Sequence, residues 1–144
     1  MMIETMKEIH VPQVAALEKT CFSDPWSESG VRSELQNPLS LWLVALDEEK
    51  VVGYIGSQSV MGESDMMNVA VDPGYRRRGI AEALVQALSG QLKALGNGCL
   101  TLEVRASNVG AIALYEKLSF QQIGRRPNYY RNPREDALIL RKEL

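Results

Sequence analysis

Asn68-Val69-Ala70-Val71-Asp72-Pro73-Gly74-Tyr75-Arg76-Arg77-Arg78-Gly79-Ile80-Ala81 is the stretch on which the fold turns. The apolar run Met66 to Val71 reads as a core strand, and Asp72-Pro73-Gly74 ends it. Past the three arginines, Ile80, Leu84, Leu88, Leu92 and Leu95 mark one stripe of a long helix, with Gly96 placed as the residue that closes it. Cys99 to Val104 is then a further apolar strand. Strand, long helix, strand with short connections is a right-handed crossover joining parallel strands. In such units ligands gather beyond the carboxyl ends of the parallel strands, where neighbours diverge, which directs attention to Val71 and Val104.

Working outward, a short strand is expected near Ile3. From Pro12 to Phe22, Val14, Leu17 and Cys21 form a helix stripe, with His10 where a cap would fall. Pro25-Trp26-Ser27 turns into a second short helix carrying Val31 and Leu35, which Pro38 stops. Leu41 to Leu46 and Val51 to Val60 flank Asp47-Glu48-Glu49-Lys50, a polar turn suited to a hairpin. Asn108 to Leu118 is a helix, and the end returns to strand, most clearly at Ala137 to Leu140. The predicted order is β-α-α-β-β-β-α-β-α-β-β. This is a mixed α/β class: a mostly antiparallel sheet with helices on both faces and one parallel pair.

A chain of 144 residues, 45% hydrophobic and 24% charged, is expected to fold as one soluble domain over 1–144. A net charge of -2 draws neither nucleic acid nor anionic lipid to the surface as a whole. Two cysteines, Cys21 and Cys99, and a single histidine, His10, do not make a zinc site, so no metal is expected. No apolar run reaches the roughly 18 residues of a membrane span, and no signal sequence opens the chain, so the expected location is the cytosol with both thiols reduced.

Three groups have the chemistry of a site. Arg76-Arg77-Arg78-Gly79-Ile80-Ala81 follows a strand and opens the long helix, whose first N-H groups and positive end suit a pyrophosphate, with Gly79 and Ala81 keeping side chains clear. The plainer alternative is a solvated arginine face. Neither a nucleotide-triphosphate loop nor a dinucleotide fingerprint is present. Glu103 lies on an otherwise apolar strand, on the face shared with Thr101 and Arg105, so it should face a cleft where a carboxylate can act as a base. An ion pair with Arg105 or another arginine is its alternative. Tyr115 shares a core-facing stripe with Ala111, Ile112 and Leu118, and by its spacing alone reads as a core tyrosine; Asn108 by itself reads as an N-cap. His10 reads as a surface residue. Trp26 and the pair Tyr129-Tyr130, in turn-rich segments, either line a groove or seal the core.

Taken together, the chain resembles the GCN5-related N-acetyltransferase (GNAT) family over nearly its whole length. Asn68 to Pro73 followed by Tyr75 to Ala81 resembles that family's acetyl-coenzyme A motif. Leu102-Glu103-Val104-Arg105-Ala106-Ser107-Asn108, with Ala111 to Phe120, resembles the second half of the same fold. Phe22-Ser23-Asp24-Pro25-Trp26-Ser27, Glu103 to Asn108, Asn128-Tyr129-Tyr130 and Arg134 to Ala137 are most similar to the bacterial members that acetylate the N-terminal alanine of a small-subunit ribosomal protein.

The resemblance implies acetyl-CoA as cosubstrate and a protein N-terminus as acceptor. It implies that the backbone of Val69, Ala70 and Val71 receives the pantetheine arm, and that the N-H groups of Arg77, Arg78, Gly79, Ile80, Ala81 and Glu82 hold the pyrophosphate. It implies that Asn108 contacts the cofactor, that Glu103 is the general base acting through water, and that Tyr115 is the general acid for the departing thiolate. Ser119 stands where the family usually has Gly, a position that commonly wants φ above zero, so either the turn differs or the site carries strain of about 1 kcal/mol. Asp24, Glu28, Glu63 and Asp65 are expected near the groove, where they would attract a basic peptide. The alternatives are the same chemistry on a small-molecule amine or a lysine, or a non-catalytic module binding coenzyme A or nucleic acid.

Overall fold

Alternation along the strands determines which side of the sheet each helix covers. In the computed structural model, which describes residues 1–144, the strands are β1 (Met2–Thr5), β2 (Ser40–Asp47), β3 (Lys50–Val60), β4 (Glu63–Val71), β5 (Cys99–Arg105), β6 (Gln121–Tyr130) and β7 (Glu135–Glu143). The helices are α1 (Val11–Cys21), α2 (Glu28–Glu34), α3 (Ile80–Ala94) and α4 (Val109–Lys117). The strands form one seven-stranded sheet in the order β1-β2-β3-β4-β5-β7-β6. Every neighbouring pair is antiparallel except β4 and β5. Class and element order are those read from the sequence.

On β2, Leu43 and Ala45 face a core shared with Leu84, Leu88 and Leu92 of α3 and Tyr115 of α4. Trp42, Val44 and Leu46 face the other way, under Val11, Val14 and Leu17 of α1 and Val31 of α2. Each fully buried leucine of the α3 stripe contributes about 1.5–3 kcal/mol by leaving water. Gly53 lets α3 sit close to the sheet, since a Cβ there would lie 3.2 Å from Ile80 and 3.3 Å from Leu84. Gly56 lies under Trp42, where a Cβ would meet the indole at 2.4 Å.

Four expectations are corrected. Leu95 does not extend the α3 stripe; it is the C-cap and 70% exposed, because the helix closes on Gly96 (φ 93°) one residue later. The third core strand begins at Glu63 rather than Met66, its polar start being paired with β3 and β5. Tyr129 and Tyr130 end strand β6 rather than lying in a loop. His10 is not a surface residue; it is buried after a single 3-10 turn, and its Nδ1 accepts the Lys7 N-H at 3.0 Å.

Candidate active site

The parallel pairing of β4 with β5 runs only from Glu63–Cys99 to Asp65–Thr101. Beyond it the strands part, so Met66 to Val71 and Leu102 to Arg105 have no ladder between them. A bulge on β4 contributes to this, because Gly56 pairs with Asn68 and Ser57 with Met66, which leaves Met67 as the extra residue. The result is a strand with free peptide groups on the side facing the gap, as an extended amide-containing ligand would need.

Past β4, Asp72 ends the strand by accepting the Gly74 N-H at 2.8 Å. The loop then places Arg77 (φ 65°) and Gly79 (φ 75°) in the left-handed region on either side of Arg78. Such alternation turns successive N-H groups toward one concavity, and α3 adds the unpaired amides of its first turn. A Cβ on Gly79 would meet no protein atom within 4 Å, and its φ of 75° is one that glycine adopts without strain.

A cavity of about 460 Å³ opens in the gap. Val69, Ala70, Val71, Arg77, Gly79, Ile80, Ala81, Glu82, Asn108 and Tyr115 line it, together with Cys21, Phe22 and Arg76. Arg78 does not; its guanidinium lies 4.8 Å from the centre of the Tyr75 ring. Asn108 serves two ends at once, since its Oδ1 accepts the Ala111 N-H at 3.2 Å as the N-cap of α4 while the residue borders the cavity. Tyr115 is a buried member of this lining. Burial, with Tyr130 nearby, pushes its hydroxyl up to about 12, so it carries its proton at neutral pH.

Glu103 is not in this cavity. Leu100, Leu102 and Val104 of β5 belong to the core under α3, which turns Thr101, Glu103 and Arg105 to the opposite face. No residue of β5, β6 or β7 belongs to the cluster beneath α1 and α2, so this part of the face has no helical cover. There the Glu103 Oε2 lies 3.6 Å from Nε of Arg126. Arg105 is engaged elsewhere, with Glu135 at 3.3 Å and with the carbonyls of Pro133 and Arg131 at 3.0 and 3.2 Å. Tyr130 links Glu103 to the cavity: burial and the Glu103 charge push its hydroxyl up to about 12, and it neighbours Tyr115 in turn.

Glu18, which the sequence reading passed over, organises the other wall. It is fully buried on α1, and its carboxylate accepts the Tyr54 hydroxyl, the Trp26 N-H at 2.8 Å and the Asn68 Nδ2 at 3.1 and 3.0 Å. A buried charge survives only when surrounded by donors, and these tie the α1–α2 connection to β4 beside the gap. The legible signal was a glutamate four residues after Val14 on an apolar stripe. Trp26 itself seals the core, edge-on to Trp42 at 5.4 Å. Glu63 and Asp65 lie at the paired end of β4, about 26 and 20 Å of strand from Val71, so they stand at the closed end of the gap and do not line its cavity. Glu28 is bound to Arg32 at 3.1 Å.

Comparison with known proteins gives the following. The model of the Acetyltransferase (GNAT) family matches residues 11–120. The chain is 37% identical over 140 residues to the [Ribosomal protein bS18]-alanine N-acetyltransferase of Escherichia coli strain K12, covering 96% of this chain and 94% of that protein. The crystal structure of the ribosomal-protein-S18-alanine N-acetyltransferase from Escherichia coli superposes with a TM-score of 0.91 at 36% identity, over 99% of this chain and 92% of that one. The fold alone is shared with Arabidopsis thaliana NAA60 in complex with acetyl-CoA, with a TM-score of 0.90 at 16% identity over 99% of this chain and 98% of that one.

Proposed function

The chain belongs to the acetyltransferase (GNAT) family, and from that premise we propose that it moves the acetyl group of acetyl-CoA to the N-terminal α-amine of a protein, an alanine of a small-subunit ribosomal protein. In this reading residues 1–144 act as one catalytic domain in the cytosol. The observation that carries it is the cavity between the parted strands β4 and β5, lined by Val69 to Val71, the loop that opens α3, and Tyr115. In this reading the face of β5, β7 and β6 without helical cover receives the end of the polypeptide.

The residues fit the cosubstrate. Val69 to Val71 offer unpaired strand backbone to the pantetheine amides, and the concave loop from Arg77 through Glu82 offers N-H groups to the pyrophosphate. When bound, acetyl-CoA supplies a thioester carbonyl open to attack by an amine. An α-ammonium must lose a proton first, and Glu103 accepts it through a water. Tyr115, protonated at neutral pH, donates to the departing sulfur. An N-H of the β4 backbone aimed at the carbonyl oxygen stabilises the charge that gathers there.

Mass spectrometry of two peptides tests this reading, one beginning with a free alanine and one with a blocked α-amine and an internal lysine. Acetylation of the first alone is expected; modification of the lysine moves the activity to side chains, and of neither to a small amine. Glu103→Gln and Tyr115→Phe are each expected to lower kcat by about a hundredfold to ten-thousandfold, or about 3 to 5 kcal/mol, with coenzyme A affinity nearly constant. Full activity in both variants overturns the assignment of roles.

A further inference from the structure

The register across three strands brings Arg126 to Glu103. Glu103 pairs with Ile139 of β7, and Ile139 with Gly124 of β6, so these three share one face; Arg126, two residues past Gly124, shares it too. In the next row Arg105, Ala137 and Arg126 stand abreast. The methyl of Ala137 leaves the path across β7 clear for the longer side chain. Immediately after Arg126 the β6–β7 register shifts, and Asn128 (φ 54°) gives its N-H to Asp136 Oδ1 at 2.8 Å. This bulge sets the Tyr129 ring 5.9 Å from the Arg126 guanidinium.

The two arginines of this row differ in how firmly they are held. Arg105 is enclosed by a carboxylate, two carbonyls and the Tyr130 ring at 4.4 Å. Arg126 has one charged partner, Glu103, and is 57% exposed. Their contact is an ion pair at 3.6 Å, beyond hydrogen-bond length, and the Glu103 Oε2 is buried without any hydrogen-bond partner. The Tyr129 hydroxyl also neighbours this carboxylate, its pKa raised by burial and then by Glu103, so what Glu103 lacks is a close charged donor.

We propose that Arg126 is the displaceable counter-ion of Glu103: its guanidinium holds the carboxylate until a cationic N-terminus arrives, then yields the place and moves onto the Tyr129 ring. This rests on the reading of Glu103 as the group that receives the acceptor amine. Arg126 is a positioning residue under this proposal, and it weakens acceptor binding in exchange for keeping Glu103 from pairing elsewhere. Two cations do not share one carboxylate without repulsion, so selection falls on acceptors that bring a charged amine together with further contacts.

The test is calorimetric binding of a free-alanine peptide, and of the same peptide with an acetylated α-amine, to the protein saturated with coenzyme A. Arg126→Gln is expected to tighten the free-amine peptide about threefold to tenfold and to leave the acetylated one unchanged; Arg126→Lys is expected to restore the native value. In turnover the peptide KM falls more than kcat changes, and the acetyl-CoA KM stays. In a Glu103→Gln background the Arg126→Gln gain disappears. Weaker or equal binding of the free-amine peptide by Arg126→Gln, or a gain common to both peptides, overturns the proposal. Full kcat in Glu103→Gln alone instead overturns the role of Glu103 as base, so the two failures are distinct.

Discussion

Ser119 holds a φ of 75°, where the Cβ of an L-residue crowds the next carbonyl. Its helix end repeats the one at Gly96. There the N-H of Gly96 bonds Lys93 and that of Asn97 bonds Leu92; here Ser119 bonds Glu116 and Phe120 bonds Tyr115, each at 3.0 Å. Ser119→Gly is therefore expected to stabilise the chain by about 1 kcal/mol, a rise of about 2–4 °C in Tm on thermal denaturation. No rise would mean that the turn has relaxed around serine. His10 supplies a pH dependence. Burial lowers its pKa below the ordinary 6.5, so the folded state favours the neutral ring. Its contribution is complete above pH 6.5 and is lost as pH falls through the lowered folded value. His10→Asn keeps an acceptor for the Lys7 N-H, and is expected to flatten the loss of Tm between about pH 7 and pH 5. An unchanged slope would remove His10 as its source.

Among the elements, those with a clear period were legible and those without were not. The α3 stripe could be read to within one residue of its end, because one helix face packs against one sheet and every third or fourth residue must be apolar. Strand β6 was expected but its bounds were not legible, because it is the sheet edge and is exposed on nearly every residue, so Gln121 to Tyr130 shows no apolar alternation. The loop before α3 was legible in position, while the left-handed backbone of Gly79 was not part of that reading. Gly79→Ala is accordingly expected to cost about 1 kcal/mol in stability and to weaken coenzyme A binding, while Gly79→Asn loses less of both. Equal losses in thermal melts and titrations for the two variants would point to crowding instead.

For the molecule as a whole, the cavity draws on the ends of β4 and α1 and on the starts of α3 and α4, and Lys117 binds Glu82 at 3.1 Å between the two latter helices. A ligand gripped by so many elements binds the native state only. Acetyl-CoA at a hundredfold its Kd is expected to stabilise the fold by about 2.7 kcal/mol, a Tm increase of about 5–10 °C by scanning calorimetry. A ligand that binds without shifting the melt would place it on a surface patch rather than in the gap.

By itself the sequence determined the class, the crossover, both helix layers and the neighbourhood of Val71 and Gly79, because these follow from periodicity and punctuation along a local stretch of chain, while Tyr115 was singled out only through the family resemblance. Only the tertiary structure decided that Tyr115 lines the cavity while Glu103 stands on the opposite face with Arg126, that Glu18 ties Trp26 to Asn68, and that Glu63 and Asp65 lie outside the cavity, at the closed end of the gap. Those facts depend on register between strands far apart in the chain, and a shift of one residue would turn each side chain to the other face.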